Sequence, residues 1–215
     1  MSSQNVGRHA LLEHAARWLK LLVDRGRRSD GLLQSAQTWE AQYAAGRWDY
    51  LGQLSELARF SVLAGYICHL KPDGTVLDTG CGQGVLLRRL PISCYSKYVG
   101  IDLSSSAISV AREHGNERST FFAADCEEYS PVEQFDVIVF NEVLCCLRDP
   151  LRTVERYMRS LNPDGLLLVS LCTAARGSST ILGRLKRAYA TVDEVRVVHG
   201  ARKVSWVCTA MRPRL

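Results

Sequence analysis

The chain of 215 residues lacks any apolar run long enough to cross a membrane. The nearest approach, Leu11 to Val23, is interrupted by Glu13, His14, Arg17 and Lys20, so neither a spanning helix nor a secretory leader is expected. Eight cysteines stand at 68, 81, 94, 126, 145, 146, 172 and 208, yet none forms a CxxC pair and no histidine cluster accompanies them. A zinc site is therefore not expected, nor any other metal. A chain of this length folds without cross-links, so the thiols are read as reduced and the compartment as cytoplasmic. Internal repeats and low-complexity tracts are missing. So is a basic stripe with interleaved aromatics: the net charge of +5 comes from scattered arginines and lysines. Neither nucleic acid nor a membrane is expected as a partner.

What is present suits one globular domain. The composition is 47% hydrophobic and 23% charged, enough apolar material for a sizeable core. Residues Val6 to Arg25 carry Leu11, Leu12, Ala15, Ala16, Leu19 and Leu22 at helical spacing. An aromatic-rich stretch follows, with Trp39, Tyr43, Trp48 and Tyr50, and then a second helical pattern from Leu51 to Leu70, stopped by Lys71-Pro72-Asp73-Gly74. From there short apolar runs alternate with helical stretches. The runs are Thr75 to Asp78, Lys97 to Asp102, Ser119 to Ala123, Phe135 to Phe140 and Gly165 to Leu171. The helical patterns include Gly84 to Leu90, Ser105 to His114 and Leu151 to Leu161. Such alternation predicts an α/β fold with parallel strands joined by crossovers. The tail differs: Glu194 to Val198 and Val204 to Met211 alternate in strand fashion around His199 to Lys203, which predicts an antiparallel hairpin at the sheet edge.

The strongest local signal is Val76-Leu77-Asp78-Thr79-Gly80-Cys81-Gly82-Gln83-Gly84. A strand enters, glycines make a tight loop that lets a ligand approach the backbone, and a helix is expected to leave. The spacing is GxGxG, not the GxGxxG of pyrophosphate-binding dehydrogenases. Asp78 would repel a pyrophosphate but can hold an ammonium group. Asp102 closes the second run, 22 positions after Gly80, where an acidic side chain can accept from both hydroxyls of a ribose. Leu103 follows it. The alternative role of Asp102 is a cap on the helix beginning near Ser104. Asp125 and Cys126 end the third run, where they can meet an adenine amine and ring nitrogen. Asn141-Glu142 ends the fourth, and Asn162-Pro163-Asp164-Gly165 opens the fifth.

In order and spacing this series resembles the class I, Rossmann-like methyltransferases that depend on S-adenosylmethionine (SAM), over about residues 50 to 211. It looks most like those acting on small molecules in bacterial biosynthesis. The resemblance implies a three-layer sandwich, a SAM-binding domain at 51–215 and an N-terminal helical cap at 1–50. It implies that Asp78, Gly80 and Gly82 surround the aminocarboxypropyl arm, that Asp102 meets the ribose and that Asp125 and Cys126 meet adenine, with Cys81 and Leu103 also among the cofactor-binding residues. Asn141 would lie beside the methionine part. Arg59, on the helix with Glu56, either pairs with the cofactor carboxylate or is a surface residue. Trp39, Tyr43, Trp48 and Tyr50 either pack in the core or shape the pocket, where aromatic faces attract a sulfonium.

Methyl transfer to a small-molecule acceptor is the expected reaction. Glu142 is the candidate general base, with helix capping as its alternative; Asn141, Tyr43 and Tyr50 are candidates for positioning the nucleophile. A DNA amino-methylating enzyme of this superfamily carries (Asn/Asp)-Pro-Pro-aromatic where this chain has Asn141-Glu142-Val143-Leu144. Two other readings remain open at this level. One is a SAM-cyclising enzyme of the same fold, releasing methylthioadenosine; the other is a non-catalytic SAM-binding partner subunit.

Overall fold

The computed structural model describes residues 34–214. The expected helix from Val6 to Arg25 lies outside the described residues. Along the described chain run α1 (Ala36–Ala44), α2 (Leu54–Leu70), β1 (Gly74–Thr79), β2 (Tyr95–Asp102), α3 (Ser105–Glu113), β3 (Ser119–Ala123) and β4 (Phe135–Asn141). They are followed by α4 (Pro150–Met158), β5 (Leu161–Cys172), α5 (Ser178–Ala188), β6 (Ala190–His199) and β7 (Val204–Arg212). The strands form one seven-stranded sheet in the order β3-β2-β1-β4-β5-β7-β6. Strands β1 to β5 pair in parallel, while β7 runs antiparallel to both β5 and β6. The α/β sandwich with an antiparallel edge hairpin is thus the observed fold, and the hairpin strands turn around residues 200–203 as expected.

Alternate residues of the central strands feed two cores. Leu77, Ile101, Ile138, Phe140, Leu167 and Val169 pack with Val154, Tyr157 and Leu185 of α4 and α5. Val76, Tyr98, Val137, Val139, Leu166 and Leu168 pack on the other side with Phe60, Leu63, Ala64 and Ile67 of α2 and Ile108 and Ala111 of α3. The α2 set recurs at i, i+3, i+4 and i+7, which makes a single apolar stripe along that helix. Parallel strands covered on both faces read as continuous apolar runs, and this is why Phe135 to Phe140 shows no strict alternation. Helix starts follow the local chemistry. The Ser104 hydroxyl accepts from Ala107 N at 3.1 Å at the head of α3, and Asp149 caps α4 just before Pro150.

Three features depart from the sequence reading. The helix expected over Gly84 to Leu90 is only turns and a short 3-10 segment, Leu87–Arg89. Gly84 holds a φ of +70° and Pro91 stops the chain seven residues on, too little length for α-helix to propagate. Helix α5 was not expected, because its apolar residues are few among Ser178 to Ala188 and Gly183 interrupts them. The third departure corrects the reading of all thiols as reduced: Cys68 of α2 and Cys94 before β2 are joined as a disulfide across 26 positions. Parallel pairing of β1 with β2, from Gly74 opposite Tyr95, carries the two preceding segments side by side. The cytoplasmic assignment rested on reduced thiols and loses that support. Among the described residues no helix is long and apolar enough to cross a membrane.

Close approach of β2 to its neighbours depends on Gly100, where a Cβ would lie 2.4 Å from the Phe121 ring and 3.0 Å from Cys81 Sγ. Gly100→Ala is expected to destabilise the fold by about 1–3 kcal/mol through overpacking, measured as a lower midpoint in urea; an unchanged midpoint contradicts this packing.

Candidate active site

The strand order reverses between β1 and β4, and open α/β sheets bind ligands at such a switch point, beyond the carboxyl ends of the strands. A cavity of about 510 Å³ opens there. It lies within the roughly 300–1,000 Å³ of small-molecule sites. Every residue singled out from the sequence as a site candidate lines it: Asp78, Gly80, Cys81 and Gly82 after β1; Asp102 and Leu103 after β2; Asp125 and Cys126 after β3; Asn141 and Glu142 after β4. Tyr43, Tyr50 and Arg59 complete it from the N-terminal side.

The glycine loop is shaped by its surroundings. Gly80 N and Cys81 N both donate to Ile101 O, at 2.8 and 2.9 Å, tying the loop to β2. Gly80 and Gly82 hold φ of +70° and +53°, and a Cβ on Gly82 would lie 2.8 Å from the Tyr43 hydroxyl. That cradle is one a side chain would fill.

Two buried carboxyls, Asp78 and Asp102, and a half-buried one, Glu142, stand in this wall. Asp102 accepts from Gly82 N and from Ser104 N, each at 2.9 Å, so it faces the cavity and braces Ser104, the residue that caps α3, rather than capping the helix itself. Each of its oxygens keeps a second lone pair. Burial pushes its pKa up to about 6, against the pull of those backbone donors. Asp78 accepts from the Tyr98 hydroxyl at 2.6 Å through one oxygen, while its buried Oδ1 has no partner among the described residues. Burial raises it to about 7. Glu142 also reaches about 7, raised by burial and held down by the Arg59 guanidinium. Its backbone is unusual: φ is +65° at a non-glycine residue, a conformation found where surrounding structure enforces it. Glu142 N donates to Ser170 O at 3.0 Å, and the Ser170 hydroxyl donates to Oε1 at 3.3 Å, so the side chain is held by β5 rather than by a helix it might cap.

Arg59 is buried at 2% exposure, which excludes the surface reading. Its Nη2 donates to Glu56 at 3.1 Å, its Nη1 donates to Asn141 Oδ1, and its Nε has no partner among the described residues. Asp125 Oδ1 accepts from Glu127 N at 2.8 Å, and burial pushes the Cys126 thiol up to about 12, so that sulfur stays protonated.

The aromatic segment forms the roof. Trp48 stacks at 5.4 Å from Trp39, 5.9 Å from Tyr43 and 6.1 Å from Tyr50, and all four rings line the cavity. Burial raises both tyrosine hydroxyls well above their ordinary pKa, so they act as neutral hydrogen-bonding groups. A latch unforeseen from the sequence holds this roof down. Glu40 of α1 accepts from the Ser104 hydroxyl at 2.7 Å and from Ser106 N at 3.2 Å, at the positive end of α3. The Ser106 and Ser104 hydroxyls hold its pKa below the usual value. Ser104 to Ser106 are visible as cap formers, but a cap supplied by another helix has no local signature. Tyr98 was likewise unforeseen, being one apolar residue among several in β2.

A family model described as "Methyltransferase domain" matches residues 53–199. A ubiquinone biosynthesis O-methyltransferase of Actinobacillus pleuropneumoniae serotype 7 (strain AP76) is 30% identical over 140 residues, 59% of this chain and 59% of that protein. The chain therefore spans about three fifths of the length of that curated relative. The N-methyltransferase NodS from Bradyrhizobium japonicum WM9, solved with S-adenosyl-L-homocysteine, superposes with a TM-score of 0.71 at 22% identity, covering 84% of this chain and 98% of that one. The [4+2]-cyclase SpnF superposes with a TM-score of 0.60 at 19% identity, covering 73% of this chain and 81% of that one. At such identities these structures establish the fold alone.

The raised carboxyls carry a testable consequence for stability. A folded pKa above the ordinary 3.8 means that the folded state binds more protons than the unfolded one, so stability falls as pH rises from about 4 to about 7. Asp78→Asn removes part of that slope. The ligand-free variant is expected to melt about 4 °C or more above the wild type at pH 8, with the gap closing toward pH 4. Parallel melting curves across that range contradict the burial of an ionised Asp78.

Proposed function

The chain belongs to the methyltransferase-domain family, and from that premise we propose that it binds SAM in the switch-point cavity and transfers the methyl group to a small-molecule acceptor. The observation that carries this reading is the set of buried carboxyls at the strand ends, above all the unpartnered Oδ1 of Asp78. A dinucleotide phosphate would meet repulsion there; a cationic amino-acid arm would complete the unpaired oxygen. The remaining groups fit the other parts of the cofactor. The backbone cradle of Gly80, Cys81 and Gly82 would follow the arm. The spare lone pairs of Asp102 would take the ribose hydroxyls beside Leu103, and Asp125 with Cys126 would face adenine. We assign the roof residues up to 50 to a cap and the rest of the described chain to the cofactor-binding domain. Biosynthesis in a bacterium is the setting that the ubiquinone-pathway relative supports.

When bound, the cofactor supplies a methyl group on an electrophilic sulfonium. The protein's work is then alignment of the attacking atom with the leaving sulfur. Glu142 is the base: a carboxyl near pKa 7 can take a proton from an acceptor that arrives protonated, and its enforced backbone keeps it facing the cavity. Asn141 is fixed by Arg59 beside the reacting groups. Tyr43 and Tyr50 stay neutral, offer hydrogen bonds to position the acceptor and present ring faces to a cation.

Two measurements test the proposal. Asp102→Ala is expected to weaken SAM binding by about 1.5–3 kcal/mol in calorimetry, through lost hydrogen bonds to a charged acceptor. Unchanged affinity refutes its placement at the ribose. Mass spectrometry of the nucleoside product is expected to give adenosylhomocysteine only when an acceptor is present. Methylthioadenosine from SAM alone points instead to cyclisation, and no SAM binding at all points to a different role for the fold.

A further inference from the structure

We propose that Arg202, in the β6–β7 turn, is a positioning residue that sets the charge Arg59 presents to the cofactor's carboxylate, acting through the buried carboxylate of Glu56. The inference rests on the SAM reading above and extends it to a residue outside the cavity wall.

Glu56 has a side chain with 0% exposure, and its two oxygens are taken by different guanidinium groups. Arg59 Nη2 donates to Oε2 at 3.1 Å and Arg202 Nη1 donates to Oε1 at 2.7 Å. A lone Arg59–Glu56 pair is neutral overall. With Arg202 the triad carries one net positive charge, buried where the effective dielectric is low and charge acts at greater range. Of the three, only Arg59 lines the cavity. Its Nε is buried without a partner among the described residues, the one nitrogen of that guanidinium that donates to neither Glu56 nor Asn141. Arg202 thus occupies the carboxylate that would otherwise cancel Arg59, and leaves Arg59 charged toward the site.

The hairpin is built to hold Arg202 there. Arg202 N donates to His199 Nδ1 at 3.2 Å, and its side chain is only 10% exposed despite its place in a turn. The same hairpin supports Arg59 directly, since the Trp206 ring lies 5.6 Å from its guanidinium carbon while Phe60 lies 4.5 Å away. The antiparallel tail therefore contributes electrostatics to a site formed by the parallel strands.

The test is calorimetric binding of two ligands that differ in the amino-acid arm. Adenosylhomocysteine carries the carboxylate; methylthioadenosine lacks the arm. Arg202→Gln is expected to weaken adenosylhomocysteine about tenfold while leaving methylthioadenosine within about twofold. The double variant Glu56→Gln with Arg202→Gln restores one net positive charge, on Arg59, and is expected to regain the wild-type ratio of affinities. Arg202→Lys keeps the charge and is expected to keep that ratio, which preserves the test if the glutamine variant does not fold. Equal losses for both ligands, no loss for either, a double variant weaker than the single, or a changed ratio in the lysine variant each overturn the proposal. Wild-type protein that binds neither ligand overturns the SAM reading itself, a result distinct from all of these.

Discussion

The structure depends on a tension between burial and charge at the carboxyl ends of β1, β2 and β4. Asp78 and Asp102 are drawn out of water by the apolar strands that carry them, Glu142 is half-buried just after β4, and the pKa of all three rises toward neutral pH in consequence. Burying acids in this way costs stability unless something compensates. Asp102 is partly compensated by backbone donors from the glycine loop and from Ser104, just before α3. Asp78 has Tyr98 on one oxygen and, among the described residues, nothing on the other. A cationic ligand resolves the tension, because it supplies the missing charge and the missing donor together.

The rest of the fold serves that wall. The glycine loop brings bare backbone to the cavity and ties it to β2 through Ile101. Helix α1 lays aromatic rings over the opening, and Glu40 fastens it to the head of α3, next to Asp102. Helix α2 brings in Arg59 and Glu56, and the C-terminal hairpin reaches back to them with Arg202. Three stretches of chain that are distant in sequence thus set the field of one pocket.

The sheet was legible because parallel strands buried on both faces leave long apolar runs, and because glycines and prolines punctuate them. The cavity wall was legible for a related reason: ligand-facing residues at a switch point fall at fixed places, just after each strand. What the sequence hid was tertiary. Glu40 caps a helix 64 residues away, and Arg202 meets Glu56 across 146 positions, and neither pairing leaves a periodic or local trace. The Cys68–Cys94 bond was hidden too, since spacing alone does not bring two cysteines together; the β1–β2 register does. The helix expected after the glycine loop failed because the motif specifies only the turn, and Pro91 leaves too few residues beyond it for a helix.

Calorimetric titration of SAM into the wild-type protein near pH 6.5, in two buffers of different ionisation enthalpy, tests the central claim most directly. If the ligand's cationic arm satisfies Asp78, that carboxyl ionises on binding, and the two buffers report net release of protons. Binding without proton release, or proton uptake, contradicts the claim that an uncompensated carboxyl at the end of β1 holds the ligand.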